Sequence, residues 1–317
     1  MSVPAVDILL AAYNGARFIR DQIESILMQT FGGWRLLIRD DGSSDSTRQI
    51  IREFAERYPE RIFEVRDGLG RLGPSGNFNA LLEISDSDYA MFCDQDDIWL
   101  PEKIEVSLHK MREVEVRTGP DTPVLVHTDL RLVDSECALV AESAWKYWKL
   151  MPEKAKKINR LIVEGRIWGC TIIINRKLRE MALPIPEGAI MHDWWVALSA
   201  CSFGIIEHVP EPTILYSIHG NNHSGVSVRR RRHPSVIAMA QRLFSNPGAE
   251  SSLRETTRHA AAFYDRFAGS LDPGKGEIIR SYAGLGSKGP LARRYAILKY
   301  RMLKTGLKKN IRFLLHV

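Results

Sequence analysis

The chain has 317 residues, is 44% hydrophobic and carries a net charge of +6, which suits one large folded unit or two modest ones and excludes a disordered or collagen-like polymer. No apolar run approaches the ~18 residues needed to span a bilayer, and the N-terminal stretch lacks the basic, apolar and small-residue regions of a signal peptide. Cys93, Cys137, Cys170 and Cys201 are widely spaced with no C-x-x-C pair, which predicts free thiols in a reducing, cytoplasmic setting.

Charge is unevenly distributed. Residues 1–220 sum to −8 and residues 221–317 to +14, with no acidic residue after Glu277. A segment that basic predicts an anionic partner, either a membrane surface or nucleic acid.

In chain order, short β-rich apolar runs stand at 6–12, 35–40, 62–66, 89–93, 123–127, 170–174 and 204–209, alternating with helical patterns. That alternation predicts an α/β fold with helices on the faces of a sheet. Ile19, Ile23, Ile26 and Leu27 mark one face of a helix over 17–29. Ser43-Ser44-Asp45 offers N-cap chemistry for a helix from Thr47 to Tyr58 that Pro59 stops, and Pro101 opens another running to Arg117. Residues 141–168 hold Trp145, Tyr147, Trp148 and Trp168 in a less regular setting and read as a connection or lid over one end of the sheet. From residue 221 onward the pattern is helical.

Three acidic groups fall at strand ends: Asp40-Asp41, Asp94-Asp96-Asp97, and Asp129. In open α/β sheets ligands bind in the crevice outside the carboxyl ends of the strands, so these carboxylates are expected to converge there. Each cluster alone reads as a solvated turn. Together they are mutually repulsive unless a hard divalent cation, shared with a substrate phosphate, relieves them.

Two other patterns compete. Gly68 to Gly73, "GLGRLG", satisfies the dinucleotide fingerprint G-x-G-x-x-G after a strand-like run, which would suit an NAD(P)-dependent oxidoreductase; Pro74 interrupts the join to a helix expected from Ser75. "HGNNH" sets His219 and His223 four apart, but it lacks the Glu of a zinc helix and its Gly-Asn-Asn is turn chemistry. Asp193, in "MHDWWVAL", starts a predicted helix and is either a first-turn acid favoured by the helix dipole or a catalytic base.

Taken together, "ILLAAYNG", "IRDDGSSDST", "GPSGNFNALL", "FCDQDDIWLPEKI", "WGCTIIINR", "HDWW" and "YSIHGNNHSG" resemble the family-2 glycosyltransferases, and within them the bacterial rhamnosyltransferase-like branch. The order and spacing agree over about residues 6–225. The resemblance implies a GT-A fold, an α/β/α sandwich on a mostly parallel sheet. It also implies inverting sugar transfer from a nucleotide-diphosphate donor to a hydroxyl of a glycan or polyprenyl-linked glycan acceptor, as in surface-polysaccharide (O-antigen) assembly. L-rhamnose from dTDP-rhamnose is the leading donor, with a hexose from a UDP-sugar close behind. Carried over residue by residue, it sets Tyr13 beside the base or ribose, with Ala11 and Asn14 next to it, and Asp40 or Asp41 on the base. Asp94 and Gln95 would lie near the ribose. Gly73 and Asn77 fall near the diphosphate, Trp168 and Gly169 along the donor pocket. Asp96 would hold Mn²⁺ or Mg²⁺ with Asp97 in support, His219 would reach the metal or diphosphate, and Asp193 would be the general base.

Residues 1–225 are thus expected to form the catalytic domain and residues 226–317 a basic helical region. In "LARRYAILKYRMLK", Leu291, Tyr295, Leu298 and Met302 fall on one stripe and Arg293, Arg294, Arg301 and Lys304 on the other side; "RRRRH" at 229–233 is a second basic cluster. Residues 290–317 read either as a helix packed on the catalytic domain or as an interfacial helix meeting anionic lipid on the inner face of the cytoplasmic membrane. No DNA- or RNA-binding motif supports nucleic acid as the partner.

Overall fold

The protein is described here from a computed structural model, over residues 5–134, 136–218 and 248–317. Strands β1 (Val6–Ala12), β2 (Trp34–Asp40), β3 (Ile62–Glu64) and β4 (Tyr89–Asp94) carry the first half of the sheet. The second half adds β5 (Ile98–Trp99), β6 (Val124–Val133), β7 (Leu139–Ala141), β8 (Ile172–Asn175) and β9 (Ile205–Ser217). They form one nine-stranded sheet in the order β3-β2-β1-β4-β8-β6-β9-β5, with β7 on β6.

The sheet is mixed. Strands β1 to β4 pair in parallel, as do β6 and β9, whereas β8 runs antiparallel to both β4 and β6, and β5 antiparallel to β9. The antiparallel β8 follows from its entry: the chain returns through residues 144–171 at the carboxyl end of the sheet instead of crossing back beneath it.

Alternation divides the core between two faces. Leu9, Leu37, Phe92 and Leu125 point to one side, and Ile8, Leu10, Leu36, Ile38, Met91, Cys93, Val124 and Val126 to the other. Both sides are covered, so the central strands read as continuous apolar runs. Helices α1 (Ile19–Leu27), α2 (Thr47–Arg57) and α4 (Lys103–Thr118) supply Ile23, Phe54 and Leu108 to one cluster. α3 (Gly73–Ile84) supplies Phe78 and Leu81 to the other. Pro101 and Glu102 lie in the turn ahead of α4 rather than within it.

After β7 come three short helices, α5 (Ala144–Trp148), α6 (Pro152–Ala155) and α7 (Ile158–Leu161), then a single 3₁₀ turn, Gly169–Thr171. α8 (Arg176–Ala182) and α9 (His192–Phe203) pack on the Leu9 face. The helices Ala249–Phe267, Pro273–Ala283, Pro290–Lys299 and Leu307–His316 follow. Phe263, Ile279, Tyr282, Ile297 and Met302 join the same apolar cluster as α9, so these helices are packed on the sheet-bearing part. The packing is also polar: Asn159 donates to the carbonyls of Tyr300 and Arg301, and Arg160 to those of Leu303 and Lys304.

Two predicted strands run longer than expected. β9 continues past Pro210 and Pro212 because its register with β6 shifts between Thr128 and Asp129, and such an irregularity tolerates a residue that cannot donate to the ladder. β6 extends to Val133 because its far end pairs with the continued β9 and with β7.

Candidate active site

A cleft of about 1210 Å³ opens at the carboxyl ends of β1 and β4. Tyr13 and Asn14 leave β1 there, and Asp94, Gln95 and Asp96 leave β4. The two loops are tied by a reciprocal pair: the Tyr13 amide donates to Gln95 Oε1 and Gln95 Nε2 donates to the Tyr13 carbonyl, each at 2.9 Å. Gly15 makes the approach possible, since a Cβ there would stand 2.1 Å from Gln95 Oε1. Asn14 adopts a left-handed φ of 47°, and its side chain accepts from the Ser44 amide at 2.8 Å, which joins this loop to the one after β2.

The Asp-Asp-Gly turn after β2 is used differently by its two acids. Asp40 accepts from the Ser43 amide at 3.0 Å and lies within 3.5 Å of Arg48, and it does not line the cleft. Of the two acids expected on the base, only Asp41 therefore reaches the cleft. Asp41 lines the cleft, but both its oxygens are engaged: Oδ1 by Arg39 (2.9 Å) and the Leu72 amide (2.7 Å), Oδ2 by the Gly73 amide (2.8 Å). Buried Arg39 also grips Asp67 and the Gly70 carbonyl.

Asp41 and Arg39 therefore hold the loop Gly68–Gly73, whose glycines at 68, 70 and 73 all have φ near +70°. The amides at the start of α3, which a dinucleotide pyrophosphate would need, are already bound by a carboxylate. The loop follows the edge strand β3, not the first strand of a dinucleotide fold. Arg71, which sequence reasoning passed over, stands over the Tyr13 ring at 4.1 Å from its centroid and lines the cleft. Asn77 donates to the Arg39 carbonyl and lines the cleft with Gly73.

The acidic group after β4 is electrostatically unbalanced. Asp94 is pushed up to about 7 by burial and by repulsion from Asp96 and Asp193. Asp97 is driven well above the usual carboxylate range by burial, then by Asp96 and Asp94, and one of its oxygens is buried with no hydrogen-bond partner among the described residues. Asp7, at the other end of β1, shows the contrast: burial pushes it up, yet Arg35, Ser87 and Ser85 outweigh that and hold it low. Ligand atoms of Asp94, Asp97 and Cys170 lie within 4.8 Å of one another. Crowded, under-satisfied carboxylates are the hard oxygen set that Mg²⁺ or Mn²⁺ takes, so the site fits such an ion. Burial keeps Cys170 a thiol, leaving the carboxylates as the hard donors. Asp96 lines the cleft beside Asp94. His219 lies outside the described residues, as do His223 and the 229–233 cluster.

Asp193, in the first turn of α9, faces the same cleft. Its Oδ2 accepts from the Gly169 amide at 3.0 Å and its Oδ1 from the Trp194 amide at 2.7 Å. Burial pushes it up to about 6, against the pull of these amides. The neighbouring His192 is buried between Phe78 (ring centroids 3.9 Å apart) and Phe92 (4.8 Å), with both ring nitrogens unpartnered among the described residues; burial lowers it to about 3, so it stays neutral. It packs between these two rings in the cleft wall. Trp168, Gly169, Tyr147 and Trp148 complete the cleft, so the predicted connection over the sheet end is one of its walls.

Comparison with known proteins bears on the family and the fold. The dTDP-rhamnosyl transferase RfbG of Shigella flexneri is 27% identical over 233 residues, 69% of this chain and 74% of that protein. An uncharacterised glycosyltransferase of Nostoc sp. is 28% identical over 228 residues, 69% of this chain and 66% of that one. The Escherichia coli glucosyltransferase WfgD, named for a UDP-Glc donor and a GlcNAc-diphosphoundecaprenol acceptor, is 35% identical over 106 residues, 33% of this chain and 40% of its own. Among solved structures, the mannosyltransferase PcManGT of Pyrobaculum calidifontis with GDP-Man and Mn²⁺ superposes with a TM-score of 0.56 at 16% identity, covering 94% of this chain and 73% of that one. S. aureus TarS 1–349 with UDP-GlcNAc gives 0.54 at 13%, covering 93% and 80%. The fold is GT-A. Residues 7–179, more than half of the chain, match the family described as Glycosyl transferase family 2, and the chain belongs to that family.

Proposed function

We propose that the protein is an inverting, divalent-metal-assisted glycosyltransferase. It moves L-rhamnose from dTDP-rhamnose, or a hexose from a UDP-sugar, to a hydroxyl of a glycan or lipid-linked glycan in surface-polysaccharide synthesis. The observation that carries this reading is the single cleft lined by Tyr13, Gln95 and Asn77 together with the carboxylates of Asp94, Asp96 and Asp193. The likeness to RfbG favours the rhamnosyl donor, and that to WfgD the lipid-linked acceptor.

In this reading Tyr13 offers its ring to the nucleoside, and the Tyr13–Gln95 pair fixes the distance between the two loops that embrace it. Asp96 is the residue that would hold the cation, with Asp94 and Asp97 beside it completing the oxygen set. Positive charge against the departing diphosphate is the chemistry Mg²⁺ or Mn²⁺ supplies when bound. The Asp193 carboxylate, held by the Gly169 and Trp194 amides, accepts the proton of the acceptor hydroxyl as that oxygen attacks the anomeric carbon. Attack opposite the leaving group in one displacement inverts the configuration.

Peripheral attachment to the cytoplasmic membrane is part of the proposal. Leu291, Tyr295 and Leu298 on one helix and Leu307, Ile311 and Leu315 on the last are all exposed, and each set recurs at helical spacing near lysines and arginines. Met302, expected on the same stripe, lies beyond the end of the helix and is buried. No helix among the described residues is long and apolar enough to cross a membrane.

The test is transfer from dTDP-rhamnose and UDP-glucose to lipid-linked glycan extracts, with the anomeric configuration of the product read by NMR. Inverted product from the wild type and its loss in a folded Asp193→Asn variant are expected; near-normal transfer by that variant would remove the base assignment.

A further inference from the structure

The cleft has a second electrostatic imbalance, of the opposite sign, beside Asp193. Arg166 and Lys309 line it, and both turn to one carboxylate, Glu164. Arg166 forms an ion pair with it, Lys309 lies 3.7 Å from it, and the Thr305 amide donates to it at 3.1 Å. Lys304 stands within electrostatic reach of the same group, and Arg312 within reach of Lys304; burial lowers the Lys304 pKa, and Lys309, Arg166 and Arg312 add to the lowering against Glu164. Three cations, Arg166, Lys309 and Lys304, thus face one acid. Arg166 Nε is buried with no hydrogen-bond partner among the described residues. A second cavity, of about 370 Å³, shares Lys309 and is lined by Glu164, Lys304 and Arg312.

Crowded cations with an orphaned donor are stabilised by a polyvalent anion, and guanidinium and ammonium groups together suit phosphate oxygens. The position separates this charge from the nucleoside side. Gly165 packs so closely on Trp194 that a Cβ would stand 2.8 Å from its indole, and Trp194 follows Asp193 directly. Trp194 Nε1 also bonds the Leu161 carbonyl at 2.6 Å, which fixes this wall. Tyr13 and Arg71 instead belong to the loops after β1 and β3.

We propose that the Asp193 side of the cleft contains a phosphate subsite formed by Arg166 and Lys309, with Lys304 and Arg312 adding positive potential, and that the acceptor carries a phosphate or diphosphate ester which binds there. The last helix, Leu307–His316, then belongs to the acceptor site through Lys309. The inference rests on the glycosyltransferase reading and narrows its acceptor to a phosphorylated sugar, lipid-linked or soluble.

The test is calorimetric titration of the full chain with inorganic pyrophosphate in EDTA, which removes cation-dependent binding at the acidic cluster. Farnesyl diphosphate serves as a second probe. The wild type is compared with Lys309→Gln and with a Lys304→Gln/Lys309→Gln double variant. Loss of each charge-assisted contact is expected to weaken pyrophosphate by about tenfold or more, while nucleoside diphosphate binding with Mn²⁺ stays within about twofold. Farnesyl diphosphate binding tighter than pyrophosphate would assign a lipid-linked ester, and equal binding a soluble one; both support the subsite. Pyrophosphate binding that is absent, or unchanged in the double variant, overturns it, as does an equal loss of nucleotide binding. Failure of nucleoside diphosphate to bind the wild type with Mn²⁺ would instead count against the transferase reading itself.

Discussion

Asp193 Oδ2 lies 3.0 Å from the amide nitrogen of Gly169, and a Cβ on that glycine would stand 2.9 Å from His192 Nε2. The 3₁₀ turn Gly169–Thr171 thus orients the carboxylate, and only a residue without a side chain fits between it and the imidazole packed on Phe78. Gly169→Ala is expected to displace the turn and lower transfer by about 10²-fold, in the lower part of the range for a misplaced base. Donor affinity, measured in parallel by calorimetry, should change far less.

The pH profile follows from the same group. A base works ionised, so kcat should rise with pH through about 6, where burial has moved Asp193. The stability effect has the opposite sign. A carboxyl whose folded pKa is raised from 3.8 to about 6 contributes stability present below about 4 and lost as pH rises through 6. Asp94, raised to about 7, extends that window upward. Metal-free protein is therefore expected to lose Tm between pH 5 and pH 8 on account of these groups, and Mn²⁺ to raise Tm more at pH 8 than at pH 5. A larger Mn²⁺ effect at pH 5 would contradict this, as read by differential scanning fluorimetry.

Gln95 ties together the loops after β1 and β4, the proposed nucleoside end of the cleft. Gln95→Ala removes both bonds to Tyr13, and Gly15→Ala drives a methyl group into the Gln95 amide. Both should weaken nucleotide binding by about tenfold, the worth of one or two such hydrogen bonds, with little change in urea midpoint for Gln95→Ala.

Arg39 is a structural residue of the site. Buried and bound to Asp41, Asp67 and the Gly70 carbonyl, it leaves buried charge uncompensated when removed. Arg39→Met should cost about 3 kcal/mol in urea denaturation and loosen the Gly68–Gly73 loop, seen as faster amide exchange at Leu72 and Gly73.

The exposed stripes on the last two helices give a test of membrane attachment. Flotation with vesicles rich in anionic lipid should fall sharply for a Leu298→Glu/Leu307→Glu variant, whose positions are 57% and 76% exposed and so leave the fold intact. Equal flotation of variant and wild type would detach this surface from the membrane.

Much of the site was legible because strand ends and their acids lie together in sequence. Val6–Ala12 is the predicted first strand, and Tyr13, Asn14, Asp94, Gln95, Asp96 and Asp193 line one cleft; of the acids expected to converge there, Asp40, Asp97 and Asp129 do not line it, and Asp129 is instead engaged by Ser143 and the amides of Leu130 and Trp145. What was not legible depended on partners distant along the chain. Asp40 and Asp41 look alike in "RDDG", but only Asp41 is reached by the amides of residues 72 and 73. Arg71 and Lys309 enter the cleft from a loop and a C-terminal helix whose positions no local pattern specifies. The long β9 was hidden by Pro210 and Pro212, which stop a strand except where its register shifts.

The measurement closest to the central claim is calorimetric binding of dTDP, UDP, GDP and NAD to the purified protein, first with Mn²⁺ and then with EDTA. The account predicts that one nucleoside diphosphate, dTDP before UDP, binds with Mn²⁺ and is released by EDTA, because in the proposed function a cation at the acidic group after β4 holds the diphosphate. Nucleotide binding indifferent to EDTA, or binding of NAD alone, would contradict it.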